Sequence, residues 1–337
     1  MSFTKLTDAL FTETIKKQIC QDFSIDRTTL RQKDGFCSYV FQAQVAQQWV
    51  ALKVSHSSRI DCQTINSELD FVQYLHSNNL SIAAVAEFPG VDRLLVYPDG
   101  AGGQFFAYCF QWIDGTSFED LEKDEQSLQT LGKTLAGIHR SSQEFVAKTP
   151  RIVRPSLNNN ESYRAAKYLP ENEKDIVHAF HKLMKNINEI PKSQQSFGLT
   201  HSDCHDGNIL RTDNGDLFFI DFDDCEFHYF INDIAIMLYT FFPPDGTDPK
   251  GYTEFVFIQL MKGYFKIRPI PIQHFQFLPL FLKFRSFMIH ILSAQIESLT
   301  GVQRNPALVE RRRARFRNNF KDLDSLIRLD FEALGQP

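Results

Sequence analysis

The stretch that most constrains this chain runs His201-Ser202-Asp203-Cys204-His205-Asp206-Gly207-Asn208-Ile209-Leu210 and continues, past an Asn214-Gly215 turn, into Leu217-Phe218-Phe219-Ile220-Asp221-Phe222-Asp223-Asp224. Polar, metal-capable side chains stand directly ahead of a short apolar run, and a second apolar run ends in another acid. Asn-Gly between two such runs is a strong signal for a tight β-hairpin. The pattern therefore fixes a loop, a hairpin and a second loop, with Asp203, Asn208 and Asp221 brought to one end of a small sheet.

An Asp, an Asn five positions on and a further Asp after a strand suit phosphoryl transfer from ATP. One carboxylate orients the attacking hydroxyl, while an amide oxygen and a second carboxylate hold Mg²⁺ on the phosphates. Asp203 is then the catalytic base or orienting carboxylate, Asn208 and Asp221 the metal ligands, and His201 a brace for the loop. A polar turn ahead of a hairpin also produces Asp and Asn freely. A zinc reading of His201, Asp203, Cys204 and His205 is the other alternative, but it leaves Asn208, Asp221 and the lysine described next without roles.

With 337 residues the chain exceeds most single cores and is expected to form two lobes. Ahead of the opening stretch lie short β-like runs: Thr28–Gln32, Tyr39–Val45, Trp49–Val54, Arg93–Tyr97 and Phe105–Trp112. Short links favour an antiparallel meander. Helical spacing marks Leu6 to Cys20 and Cys62 to His76, the latter with Ile65, Leu69, Val72 and Leu75 on one face. From Asp114-Gly115 the pattern is mainly helical, with helices predicted at Asp233–Phe241, Thr253–Phe265, Phe275–Thr300 and Pro306–Leu334. The expectation is an N-lobe over 1–110, a hinge over 111–115 and a C-lobe over 116–337.

Lys53 sits in the apolar run Val50-Ala51-Leu52-Lys53. A solvent-facing strand lysine is the plain reading. The functional one is a cation held on a rigid strand against the ATP phosphates, with Glu68 on the following helix as its partner. Asp34-Gly35-Phe36-Cys37-Ser38-Tyr39 is either an ordinary turn or a loop that covers phosphates with backbone N–H groups and the Ser38 hydroxyl. Phe110-Gln111-Trp112-Ile113-Asp114-Gly115 joins the lobes, either as a plain strand-to-helix connection or as a linker whose backbone, at Gln111 and Ile113, pairs with adenine. Asp233, in Asn232-Asp233-Ile234-Ala235, is expected to be a buried acid or helix cap that ties down the catalytic loop. The run Arg311-Arg312-Arg313 with Arg315 and Arg317 defaults to a solvated face.

These motifs resemble the aminoglycoside phosphotransferase/choline kinase-like family. His201…Asp203…Asn208 is similar to its H-x-D-x-x-x-x-N loop, Ile220-Asp221-Phe222 to its metal-binding segment, Leu131-Gly132 through Ile138-His139 to its L-H helix, and Asn232-Asp233-Ile234-Ala235 to the motif that follows. The resemblance implies an α+β, two-lobed protein kinase-like fold and an ATP- and Mg²⁺-dependent transfer to a hydroxyl. The acceptor it implies is a small molecule of aminoglycoside, amino alcohol or sugar type. Asp203-Cys204-His205, Gly263-Tyr264 and Phe284-Arg285 are also similar to the bacterial stress-response kinase branch, which implies protein Ser/Thr as the alternative acceptor. A nucleotide-binding regulator without turnover is the reading from another class; the intact Lys53, Asp203, Asn208 and Asp221 argue against it. Acceptor walls are expected from the helical insert Asn158–Pro191 and the last helices.

A net charge of −5 gives no basis for nucleic-acid binding. Six Cys without a CxxC pair imply reduced thiols, and the N-terminus carries no signal-peptide pattern. The apolar run Phe275–Leu292 is interrupted by Pro279, Lys283 and Arg285. Together these predict a cytoplasmic protein without a membrane span.

Overall fold

The structure, a computed structural model, describes residues 2–243, 248 and 251–334. Helix α1 (Glu13–Asp22) precedes strands β1 (Arg31–Lys33), β2 (Tyr39–Val45) and β3 (Gln48–His56). Helix α2 (Cys62–Ser77) leads to β4 (Leu95–Pro98) and β5 (Gln104–Gln111). The five strands form one antiparallel sheet in the order β1-β2-β3-β5-β4. Alternation along the strands gives the sheet two faces. Tyr39, Phe41, Ala43, Val45, Val50, Leu52 and Val54 pack with Ile19, Cys20 and Phe23 of α1 into one core. Lys53, between Leu52 and Val54, points to the opposite face, toward α2.

The first helix is a correction. Leu6–Cys20 does not form one helix: a 3-10 turn covers Phe3–Leu6, and α1 starts at Glu13, where Thr12 caps the Ile15 N–H. Between them Phe11 packs against Tyr39 and Phe105. Helix α2 begins where Asp61 accepts the Thr64 N–H at 2.8 Å. Its buried Ile65, Leu69, Val72 and Leu75 join the large core of the helical lobe, so packing couples α2 to that lobe.

The second lobe contains β6 (Thr116–Ser117), α3 (Glu125–Lys148), α4 (Ala165–Tyr168), α5 (Lys174–Asn188) and β7 (Phe197–Thr200). There follow β8 (Ile209–Arg211), β9 (Leu217–Phe219), β10 (Glu226–Tyr229), α6 (Phe230–Phe241), α7 (Tyr252–Phe265), α8 (Leu278–Thr300) and α9 (Pro306–Arg317). Gly132 of α3 and Gly263 of α7 let two helices touch at their backbones. A Cβ at either would come within 1.9 Å of a carbonyl oxygen on the other helix.

Pro279 does not break the last apolar run. It lies in the first turn of α8, where a missing N–H costs nothing. The span Ile272–Thr300 has the length and hydropathy of a membrane segment, yet half of its most apolar window is buried inside the fold. The single helix predicted over Pro306–Leu334 is interrupted: α9 ends at Arg317, and short helices α10 (Asp324–Ile327) and α11 (Phe331–Leu334) follow. Asn319 and Phe320 take left-handed φ of 50° and 62°, which turns Phe320 inward onto Phe316 and Phe287.

His228 of β10 is fully buried against Phe281 and Phe284, and its Nδ1 accepts the Tyr229 N–H. Burial pulls its pKa from 6.5 down to about 3. The unfolded chain takes up this proton below pH 6.5 and the fold does not, so stability falls as pH drops through that window. Between pH 7 and pH 5 this one group should remove about 2 kcal/mol. In His228→Asn, whose amide oxygen can still take the Tyr229 N–H, melting temperature should depend less steeply on pH over that interval. An unchanged slope would refute the assignment.

Candidate active site

The two loops read from the sequence are each strung between β-ribbons. His201–Asn208 runs from the end of β7 to the start of β8, and Ile220–Cys225 from the end of β9 to the start of β10. β7 pairs with β10 and β8 with β9, so both loops are fixed at both ends and emerge side by side. Asp233 locks them from below. Its fully buried carboxylate accepts the His201 N–H and the Ser202 N–H, both at 2.9 Å, and His139 Nε2 at 3.0 Å. Burial pushes its pKa up, yet these donors hold it below the usual carboxylate range.

His201 makes no approach to a substrate-facing surface. Its Nδ1 accepts the Asp203 N–H at 3.3 Å, which places the ring proton on Nε2, 3.1 Å from the Ile220 carbonyl. The imidazole thus crosslinks the two loops. Full burial lowers its pKa and keeps it neutral. Cys204 is buried with its thiol on the Asp233 carbonyl. With both nitrogens of His201 and the sulfur of Cys204 so engaged, the zinc reading loses its ligands.

Asp203 and Asn208 are in direct contact. Asn208 Nδ2 donates to the Asp203 carbonyl at 2.9 Å and to its Oδ2 at 3.3 Å. The amide nitrogen is therefore spent, and Oδ1 is the atom left to meet a cation. The Ile220 N–H bonds the Asn208 carbonyl at 3.0 Å, placing Asp221 beside it. Asp221 holds a left-handed φ of 63°, an uncommon state for a non-glycine residue, which turns its carboxylate out into the cleft.

Lys53 reaches this group across the cleft. Its Nζ donates to Asp221 Oδ1 at 2.7 Å and to Asp223. The expected Lys53–Glu68 ion pair is absent. Glu68 is fully buried with both carboxylate oxygens unbonded, and burial together with the charge of Asp223 raises its pKa to about 8. One ammonium serves two aspartates, and burial beside them favours the protonated form of Glu68. Asp223 is the preferred counter-ion because two cations flank it: burial favours its neutral form, but Lys53 and Arg59 hold its pKa at about 2. Arg154, on the segment between α3 and α4, donates to the carbonyls of Thr64, Asp223 and Cys225 and so bolts α2 to the Asp221 loop.

Ser38 is buried at the end of the loop that joins β1 to β2. Gly35 is required there, since a Cβ would stand 2.1 Å from the Ser38 carbonyl oxygen. That loop lies over the acid cluster, where Cys37 senses the charges of Arg59 and Asp221–Asp224. At the lobe junction the Gln111 N–H bonds Ala84 and the Trp112 N–H bonds Trp49, whereas the Ile113 N–H takes no protein acceptor among the described residues. Gln111 can therefore offer a carbonyl to a ligand edge, and Ile113 an N–H.

On the far side of Asp203 lies a cavity of about 1160 Å³. Its walls come from Glu119–Asp124, His205, Asp206, the end of α6, α8 and α9. No described residue of the insert 158–191 lines this cavity, whereas the last helices do. Arg285 of α8 enters the site with its Nη2 2.9 Å from Asp203 Oδ1. In the sequence it stands out only as a charge in an apolar run, beside Lys283, and as part of the Phe284-Arg285 resemblance. The arginine cluster is a solvated face only in part: Arg311 and Arg317 are exposed, Arg317 beside Asp175, whereas Arg313 pairs with buried Glu173 and Arg315, itself buried, with Asp322.

A small antiparallel sheet over a helical lobe, with a strand lysine and an Asp/Asn/Asp set in the cleft between them, defines a phosphotransferase of the protein kinase-like fold. Residues 33–264 match the phosphotransferase enzyme family, and the chain belongs to it. An amicoumacin kinase of Bacillus subtilis (strain 168) is 27% identical over 302 residues, covering 88% of both chains. Among solved structures, an amicoumacin kinase in complex with AMP-PNP, Ca²⁺ and Ami superposes with a TM-score of 0.88 at 24% identity, covering 98% of this chain and 99% of the other. A microcompartment-associated aminopropanol kinase follows at 0.71 and 17%, covering 97% and 99%. The protein is a kinase, and its relatives act on small molecules; the protein Ser/Thr alternative finds no support among them.

Proposed function

We propose that this chain transfers the γ-phosphoryl group of Mg²⁺-bound ATP to a hydroxyl of a small molecule held in the cavity beside Asp203, and that it does so in the cytoplasm. The observation that carries this reading is the position of Asp203. One of its oxygens meets the Asn208 amide on the metal side, and the other meets Arg285 on the cavity side. In this reading residues 1–110 cover the nucleotide, 111–115 form the hinge, and 116–337 carry the catalytic loops and the acceptor.

Asn208 Oδ1 and the Asp221 carboxylate are hard oxygen donors, the type Mg²⁺ takes. Bound there, the ion would neutralise charge on the β- and γ-phosphates. Lys53 would meet the α- and β-phosphates, Ser38 and its loop the outer phosphates, and Gln111 and Ile113 the adenine edge. Glu68 would stand behind Lys53 and pair with it on losing its proton, once Lys53 turns from the aspartates to the phosphates. Asp203 would accept a hydrogen bond from the acceptor hydroxyl and aim its oxygen at phosphorus, because transfer through a loose transition state depends mostly on positioning.

Thermal denaturation with Mg-ADP tests the donor half. Saturation at a hundred times the dissociation constant should stabilise the fold by about 2.7 kcal/mol, and Lys53→Met should lose most of that gain. A panel of amicoumacin, aminoglycosides, amino alcohols and sugars, read by ADP release, tests the acceptor half. Absence of any Mg-ADP stabilisation in the wild type would overturn the reading.

A further inference from the structure

Both carboxylate oxygens of Asp203 already face donors of the protein. Oδ2 faces Asn208 Nδ2 at 3.3 Å and His205 Nε2 at 3.6 Å, while Oδ1 faces Arg285 Nη2 at 2.9 Å. Asn208 and His205 belong to the same loop and move with Asp203. Arg285 comes from a different element, α8, whose own position is fixed on both sides of it. Phe284 packs against Tyr163, Phe180 and His228, and the Ser286 hydroxyl bonds Tyr239 and Arg315. The helix is rigid, but the Arg285 side chain is long and lines the cavity in which the acceptor is placed. Glu119 and Glu122 line the same cavity.

We propose that Arg285 is a specificity-determining residue that masks Asp203 from water until an acceptor displaces it. The inference rests on the assignment of Asp203 given above. Water is the competitor every kinase faces. In hydrolysis its oxygen bonds the γ-phosphorus as the bond to the ADP oxygen breaks, and its proton leaves through the group that orients it. A carboxylate held by a guanidinium is a poor orienting group for a lone water, which offers nothing to the arginine in exchange. An acceptor that brings a second oxygen, from a carbonyl, carboxylate or neighbouring hydroxyl, can take the guanidinium and release Asp203 for its reacting hydroxyl. Binding of the correct acceptor thus completes the catalytic set, an induced-fit route to selectivity.

The test is hydrolysis of Mg-ATP without acceptor, read as phosphate release. Arg285→Gln should raise it by about tenfold over wild type. Arg285→Lys, which keeps the charge but offers a single point donor, should show a smaller rise and guards against misfolding of the first variant. Adding Asp203→Asn to Arg285→Gln should abolish the gain. Hydrolysis in Arg285→Gln at or below the wild-type rate, with Mg-ADP stabilisation intact, overturns the proposal and assigns Arg285 to transition-state charge instead. Elevated hydrolysis that survives Asp203→Asn overturns it as well. Loss of Mg-ADP stabilisation in the wild type is a different result, and it removes the underlying functional reading.

Discussion

Asp203→Asn should bind Mg-ADP as the wild type does and transfer phosphate roughly a thousandfold more slowly. The side chain is a quarter exposed and supports no core, so the change is chemical more than structural. Its neutral amide still fills the space beside Asn208 but cannot accept and aim a hydroxyl as a carboxylate does. The measurement pairs ADP release, in the presence of whichever acceptor the panel identifies, with a thermal-shift titration of Mg-ADP. Turnover within tenfold of wild type would mean that another group orients the acceptor. Loss of nucleotide binding would place Asp203 on the metal side of the reaction.

Asp233→Ala should be the most damaging change to stability away from the cleft. It removes one buried carboxylate and strands three donors, the N–H groups of His201 and Ser202 and the Nε2–H of His139. Breaking a buried network from one side typically costs about 3–5 kcal/mol. For a chain of this size that is a fall of roughly ten degrees in melting temperature. Turnover should fall as well, since Ser202 holds a left-handed φ of 66° only because Asp233 grips its N–H, and Asp203 is the next residue. Asp233→Asn separates the two effects: it retains an acceptor oxygen, and it should lose less stability than the alanine variant. Equal melting temperatures for Asp233→Ala and the wild type would remove Asp233 from the role of keystone.

The N-lobe strands and α2 were legible because each carries a short, unbroken period: alternation in Tyr39–Val45, and a single apolar face at Ile65, Leu69, Val72 and Leu75. The hairpin after Asn208 was legible through Asn214-Gly215, with Gly215 at a φ of 87°. Failures fall where a contact distant in sequence decides. Nothing local to Leu6–Cys20 says that Phe11 will be captured by Tyr39 and Phe105 and interrupt the helix. Nothing local to Arg311–Arg317 says that α5 and the turn before it will present Glu173 and Asp175 to it. The partner of Lys53 was misplaced for the same reason. Glu68 sits on the right face of the right helix, but Asp221 and Asp223, some 170 positions away, arrive closer.

The sequence by itself determined that Asp203, Asn208 and Asp221 come together. Asp203, Asn208 and Asp221 are separated by one turn and one hairpin, distances that local backbone geometry closes without help, so their spacing already implied the chemistry. Only the tertiary structure decided what surrounds them. The pairing of Lys53 with Asp223, the raised pKa of Glu68, the grip of Asp233 and the approach of Arg285 each join residues that chain connectivity leaves independent. Packing of α2, α6 and α8 brings them within a few ångströms, and at that range burial and charge set which groups ionise and which atoms remain free to react.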